Sequence, residues 1–157
     1  MPNWNSNIVT FTNNDPAQIA AIKSVIEAEQ SIMERFVPIG EYEYAQAIES
    51  WGTKWSEIDS VVLEESENSI KVAFETAWCP PIAFYTAMEQ LGFGVQAYYW
   101  EPGMAFCGVY ENGVDREESI DYMSPEWIEE NISEDIIAEF DLIEYATEYA
   151  EGYDDAA

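Results

Sequence analysis

The sequence predicts an α+β fold: an antiparallel sheet with two helices on one face, followed by an acidic helical extension at the C-terminus. Three observations predict it. Apolar residues make up 48% of the 157 positions, enough to bury a sizeable core in one domain. Runs of strand-like alternation and runs at helical spacing succeed one another in a definite order. Beyond residue 116 the chain carries no Lys or Arg at all, only carboxylates.

The elements follow in order. Ser6 to Thr12, with Ile8, Val9 and Phe11, is a first strand. Asp15-Pro16 then supplies a cap and a first-turn proline. Ile19, Ile22 and Ile26 follow at helical spacing, so a first helix runs to about Gln30. Residues 38 to 58 are aromatic-rich and irregular, with a short helix around Tyr44 to Trp51. Val61 to Glu65 and Ile70 to Ala77 form a hairpin through Glu67-Asn68-Ser69. In its second arm Ile70, Val72 and Phe74 alternate with Lys71, Ala73 and Glu75, giving one buried face. Pro80-Pro81 opens a second helix carrying Ile82, Tyr85, Met88 and Leu91, which stops at Gly92. Strands Val95 to Trp100 and Met104 to Tyr110 follow around Pro102-Gly103, and Asn112-Gly113 marks the next turn. Strand, helix, two strands, helix, two strands is close to the ferredoxin-like plan. We divide the chain into a ferredoxin-like domain, residues 1–113, and an acidic helical extension, residues 114–157, packed on or beside it.

Charge narrows the function. Thirty-two carboxylates face five basic residues, a formal net charge of -27. Phosphate contacts need Lys and Arg, so direct nucleic-acid binding is excluded, and an anionic membrane surface is disfavoured for the same reason. Electrostatics selects a basic protein surface or a cation as partner. Met1-Pro2-Asn3-Trp4 has neither a basic nor an apolar leader segment, and no run approaches membrane-spanning length. Cys79 and Cys107 are too few for a disulfide scaffold. A cytoplasmic protein with reduced thiols is expected.

Ser124-Pro125 caps a short helix in the extension, Ser133 caps a longer one ending near Gly152, and Asp154-Asp155-Ala156-Ala157 is expected to fray. Projected at 100° per residue, a helix from Glu134 to Glu151 has three sides. Ile136, Phe140, Ile143 and Thr147 make a core-facing side, with Asp135 and Glu139 flanking it. Glu134, Asp141, Glu144, Glu148 and Glu151 make a second. Ala138, Leu142, Tyr145 and Tyr149 make a third, which either packs on the domain or meets a second subunit or partner. A homodimer through this helix is one such arrangement. Like charges at these spacings cost roughly 0.2–0.5 kcal/mol per pair, and no Lys offsets them. The functional reading is an anionic surface shaped for a basic groove, as a nucleic-acid mimic would present. One carboxylate per roughly 6 Å of helix is sparse beside a phosphate every 3.4 Å or so. A second row is therefore needed: Glu126, Glu129 and Glu130, or Glu64, Glu65 and Glu67 on the hairpin. Generic acidity of the halophile kind and cation binding stand as alternatives.

Trp51, Trp55, Trp78, Tyr98, Tyr99 and Trp100 suggest base stacking, but only Lys54 and Lys71 lie near them in sequence, so core packing is the better reading. Lys54 is a buried or stacked cation between two tryptophans. Catalysis finds little support. Histidine is absent, the cysteines lack CxxC spacing, and no phosphate loop, nucleophile elbow, dinucleotide fingerprint or EF-hand appears. We expect no catalytic residue, metal or cofactor.

Four separated segments occur in a recurring order: Met1-Pro2-Asn3-Trp4 with Asn7, Trp51-Gly52-Thr53-Lys54-Trp55, Thr76-Ala77-Trp78-Cys79-Pro80-Pro81, and Glu101-Pro102-Gly103-Met104-Ala105-Phe106-Cys107-Gly108-Val109-Tyr110. Over roughly residues 1–113 they resemble the YubB-type ferredoxin-like domain family, small proteins carried mainly by phages and plasmids. The resemblance implies that fold and a mobile-element origin, and it implies no catalytic residues; Cys79 stands where many relatives have serine. The combined expectation is a non-enzymatic, host-cytoplasmic DNA mimic that occludes a basic surface of a host defence or restriction factor. Glu126, Glu129, Glu130, Glu134, Asp141, Glu144, Glu148 and Glu151 would bind the partner, with Tyr145 and Tyr149 as apolar anchors. A self-associating structural or regulatory module and a carboxylate-based cation binder are the alternatives.

Overall fold

The computed structural model describes residues 3–156, with side chains described as far as Gly152. Met1-Pro2 of the first motif, and the side chains of the expected frayed end, lie outside the described residues. At the centre runs β1 (Trp4–Thr12), in which half-buried and buried residues alternate along the strand. That period of two puts Asn5, Asn7, Val9 and Phe11 on one face and Ser6, Ile8 and Thr10 on the other. β3 (Ser69–Ala77) pairs antiparallel on one side, Val9 opposite Val72. β4 (Gly94–Glu101) pairs antiparallel on the other, Val9 opposite Ala97. β2 (Ile58–Glu65) lies outside β3, and β5 (Phe106–Glu111) and β6 (Val114–Ser119) lie outside β4. The whole is one six-stranded antiparallel sheet in the order β2-β3-β1-β4-β5-β6.

Four helices cover the first face: α1 (Pro16–Glu27), α2 (Ile32–Phe36), α3 (Tyr44–Trp51) and α4 (Ile82–Gln90). α1 starts where the sequence places it, with the Asp15 carboxylate accepting from the Ala17 N–H at 3.0 Å and Pro16 in the first turn. Ile22, Phe84 and Met88 are wholly buried against Phe11, Ile70 and Val72. Phe11 meets Phe84 and Phe93 edge-on at 6.4 and 6.2 Å, a favoured aromatic geometry.

The other face is covered too. α5 (Pro125–Asn131), α6 (Glu134–Phe140) and α7 (Leu142–Ala156) bury Ile128, Ile136, Leu142 and Ala146 against Cys107, with Tyr98 and Trp100 half-buried beneath them. The expected arrangement of two helices on one face is therefore corrected: the described residues hold seven helices on two faces.

Three differences from the sequence expectation have physical causes. β6 was not expected; it turns back from β5 through Asn112 and Gly113, both with positive φ, the backbone that a tight hairpin needs. The division at residue 113 thus falls inside a hairpin, and β6 belongs to the sheet. α2 is too short to announce itself. It is held by the Glu57 carboxylate, which accepts from the Ser31 hydroxyl and the Ile32 and Met33 N–H groups at 2.7–3.3 Å. The single helix from Glu134 to Glu151 is in fact two. Asp141 adopts a left-handed conformation (φ 48°, ψ 46°), which Asp tolerates better than most residues. A straight helix here would have two apolar sides needing two covers. The break turns Ile136 of α6 and Leu142 and Ala146 of α7 into one cluster.

Candidate functional site

The extension meets the sheet through charge as well as apolar burial. Asp135 and Glu139, one turn apart on α6, reach Arg116 of β6 at 3.2 Å and Lys71 of β3 at 3.4 Å. Ser133 does not cap α6 with its side chain. Its hydroxyl instead donates to Glu118 at 2.6 Å and accepts from Arg116 at 2.5 Å. Tyr98 donates to Asp135 at 3.3 Å, and burial, followed by that carboxylate, pushes its phenol up to about 12. The docking role of Asp135 and Glu139 escaped sequence reasoning. Its only signal was their position beside the core-facing side of the helix.

Glu126, Glu129 and Glu130 on α5, Glu134 on α6, Asp141 at the break, and Glu144, Glu148 and Glu151 on α7 are all exposed. None has a cation within 4.0 Å among the described residues. The five bases are engaged elsewhere. Lys23 pairs with Glu65 at 2.7 Å, Lys71 with Glu139, and Arg116 with Glu118 and Asp135. Arg35 lies over the Phe36 ring, and Lys54 lies over Trp55 and Trp78 at 4.5 and 4.8 Å.

The break at Asp141 takes Glu134 off the axis that carries Glu144, Glu148 and Glu151, so the five-residue stripe of a straight helix does not exist. The last three remain on one side of α7, at spacings of four and three. α5 packs directly on α7, and both helices bury their apolar residues in the same cluster. Glu126, Glu129 and Glu130 therefore share an outer layer with Glu144, Glu148 and Glu151. The hairpin acids are a poorer second row: they sit on edge strand β2 and its turn, and Glu65 is taken by Lys23.

Helix dipoles separate these acids into two groups. Glu126, Glu134 and Glu144 lie in first turns, where the positive helix end favours an anion by about 0.3–1 kcal/mol. Asp141 makes the break. Glu129, Glu130, Glu148 and Glu151 have neither compensation, and they sit at i,i+3 or i,i+4 from another carboxylate. These four carry the site's unexplained charge.

The two anchors differ. Tyr145 is half-buried, edge-on to Trp100 at 4.6 Å, and so holds α7 to the sheet. Tyr149 stacks on Tyr145 at 6.5 Å and stays 52% exposed. Leu142 of the same side is wholly buried in its own domain.

The aromatic cluster is dispersed. Trp51 and Tyr99 are buried in the first face, Tyr98 and Trp100 lie beneath α6 and α7, and Trp55 and Trp78 sandwich Lys54. Cys79 and Cys107 are both free. Burial raises both thiols, Cys107 to about 12. Among the described residues no three acids or cysteines converge as a metal site, and no helix is long and apolar enough to cross a membrane.

No family model matches the chain, and no curated protein matches it. Among solved structures, the chain is similar to the protein api92 from Yersinia pseudotuberculosis, assigned to DUF1281, with 19% identity and a TM-score of 0.39. The match covers 50% of this chain and 30% of that one, a likeness too slight to carry an argument.

Proposed function

We propose that this is a non-enzymatic binding protein whose α5–α7 carboxylates occupy a basic, nucleic-acid-binding surface of a partner protein. The observation that carries the reading is a layer of eight exposed carboxylates with no cation within 4.0 Å among the described residues, in a chain whose five bases are all engaged by other groups. A protein selected only for solubility places Lys among its Glu. Here the Lys and Arg positions are few and none lies on the outer side of these helices. The mechanism is competitive occlusion: carboxylates replace phosphates in the partner's groove, and Tyr149 adds an apolar contact.

The wider assignment rests on the sequence motifs and on the strand order. β2-β3-β1-β4, antiparallel, with α1 and α4 as the connecting helices, supports a ferredoxin-like core extended by β5 and β6. The four motifs support membership of the YubB-type family and a phage or plasmid origin. The partner is then a host defence or restriction factor met in the host cytoplasm.

The test is capture of basic nucleic-acid-binding proteins from host lysate on the immobilised protein at about 50 mM and about 200 mM salt, with duplex DNA as competitor. Occlusion predicts capture that weakens at the higher salt and is released by duplex. Capture insensitive to both contradicts it.

A further inference from the structure

On the first face of the sheet, β5 and β6 run out beyond the cover of α4, and a hollow of about 630 Å³ opens at that corner. Its walls are Trp78, Met104, Ala105 and Phe106, and its polar groups are Asn3, Glu117 and Ser119. We propose that this hollow takes an arginine side chain of a protein partner.

The walls are flat, polarisable and open. Trp78 is 45% exposed and Met104 69% exposed, and Phe106 packs on the buried Tyr99 ring at 6.1 Å. Gly108 makes that floor possible, since a Cβ there would lie 2.4 Å from the Tyr99 ring. Trp78 and Ala105 are held with φ of 68° and 58°, a left-handed backbone that a bulky residue rarely adopts and that concentrates at ligand sites. The surroundings enforce it. The Trp78 N–H donates to the Asn3 carbonyl at 2.8 Å, and the Ala105 carbonyl accepts from the Ile120 N–H at 2.8 Å. The buried Glu101 carboxylate accepts from the Gly103 and Met104 N–H groups at 2.6 and 2.8 Å, fixing the loop that presents Met104. Lys54 takes part of the Trp78 indole, and the part that stays exposed lines the hollow.

The charge at the rim selects the occupant. Glu117 is exposed and has no cation within 4.0 Å among the described residues. Ser119 gives its proton to Asp121 at 2.8 Å, so its lone pairs are left to accept. Asp115, next on the same side of β6, is bonded by the Tyr99 hydroxyl at 2.5 Å. Lys54 is committed between Trp55 and Trp78. An anion is repelled, and a cation with a planar head is favoured. A guanidinium stacks on an indole or phenyl ring while donating two parallel bonds to one carboxylate, which an ammonium does not do.

The inference deepens the proposed function, for it names a second anchor for the same basic partner. The probe is N-acetyl-arginine-N-methylamide, titrated into the protein while the tryptophan indole N–H resonances are followed. The citrulline and lysine counterparts serve as controls, and Trp78→Phe identifies the Trp78 signal. We expect a saturable shift at Trp78, weakened roughly tenfold or more with citrulline and in Glu117→Gln. The absence of a saturable shift, equal binding of citrulline or lysine, or an unaltered response in Glu117→Gln would overturn the assignment. Replacing Glu129, Glu130, Glu148 and Glu151 by Gln leaves the Trp78 response intact, so failure of this pocket and failure of the acidic layer register separately.

Discussion

The two faces of the one sheet are covered in different ways. On the first, α1–α4 close over a continuous apolar cluster in which Phe11, Ile22, Ile70, Val72, Phe84 and Met88 lose all contact with water. On the second, α5–α7 close over a smaller cluster around Ile128, Ile136 and Leu142, and two ion pairs from α6 to β3 and β6 add to the attachment. Basic residues that would neutralise the outer carboxylates are engaged elsewhere: Lys71 and Arg116 pin the layer, Arg35 and Lys54 lie over rings, and Lys23 pairs with Glu65. The first layer makes the protein stable. The second buries a smaller cluster and carries the exposed carboxylates.

Cutting into each core breaks the comparison most directly. Phe84→Ala should cost about 3–5 kcal/mol, a large part of a typical folding margin, and lower the global melting temperature. Leu142→Ala should cost about 2–5 kcal/mol at its site yet appear chiefly as faster amide exchange in α5 and α7. Equal acceleration in β1 would show the two layers to be one cooperative unit.

Acid sharpens the comparison from the first face. Burial holds the Glu57 carboxyl above its ordinary value of 4.5, although the bonds from Ser31, Ser56, Ile32 and Met33 pull the other way. A carboxyl raised in the folded state favours the neutral form there. Its contribution is therefore fully present below 4.5 and is lost as pH rises through the raised value. Denaturant midpoints should increase as pH falls from neutral toward that window. Glu57→Gln should flatten this part of the profile, and a variant with an unchanged slope would exclude Glu57 as its source.

On the second face, replacing Glu129, Glu130, Glu148 and Glu151 by Gln removes four like-charge pairs at i,i+3 or i,i+4 among the residues whose side chains are described. The gain should be roughly 1–2 kcal/mol at low salt, shrinking as salt is added. A loss of stability would mean that these acids hold the fold. The smallest effect belongs to the pins. Lys71→Met and Arg116→Met should each cost about 0.2–1 kcal/mol, because both pairs are partly exposed. That cost should be read in the exchange of α6 amides.

What the sequence disclosed follows the strength of local signals. β1 and β3 alternate over their whole length, and Asp15-Pro16 and Ser124-Pro125 cap helices where expected, each through a bond to a nearby N–H. β6 was illegible because Val114 to Ser119 is an exposed edge strand, so neither face had to be apolar. α2 depends on a carboxylate that arrives from Glu57, too far along the chain for any periodicity to show. The break at Asp141 was hidden because the 100° projection assumes a straight axis. An amphipathic pattern with two apolar sides was the available warning. Of the candidate site, the exposure of the acids was legible in their lack of nearby bases. Their division between α6 and α7 was not, since it depends on which residues the sheet accepts as a floor.

Capture by the wild type and by the Glu129, Glu130, Glu148 and Glu151 to Gln variant, compared side by side on the same basic partner, bears most closely on the claim that the outer layer is a binding surface. We predict that the folded variant retains its melting behaviour or improves on it, while partner capture falls at least tenfold at about 50 mM salt. Capture undiminished in a folded variant would contradict the account and leave those carboxylates as solvated surface.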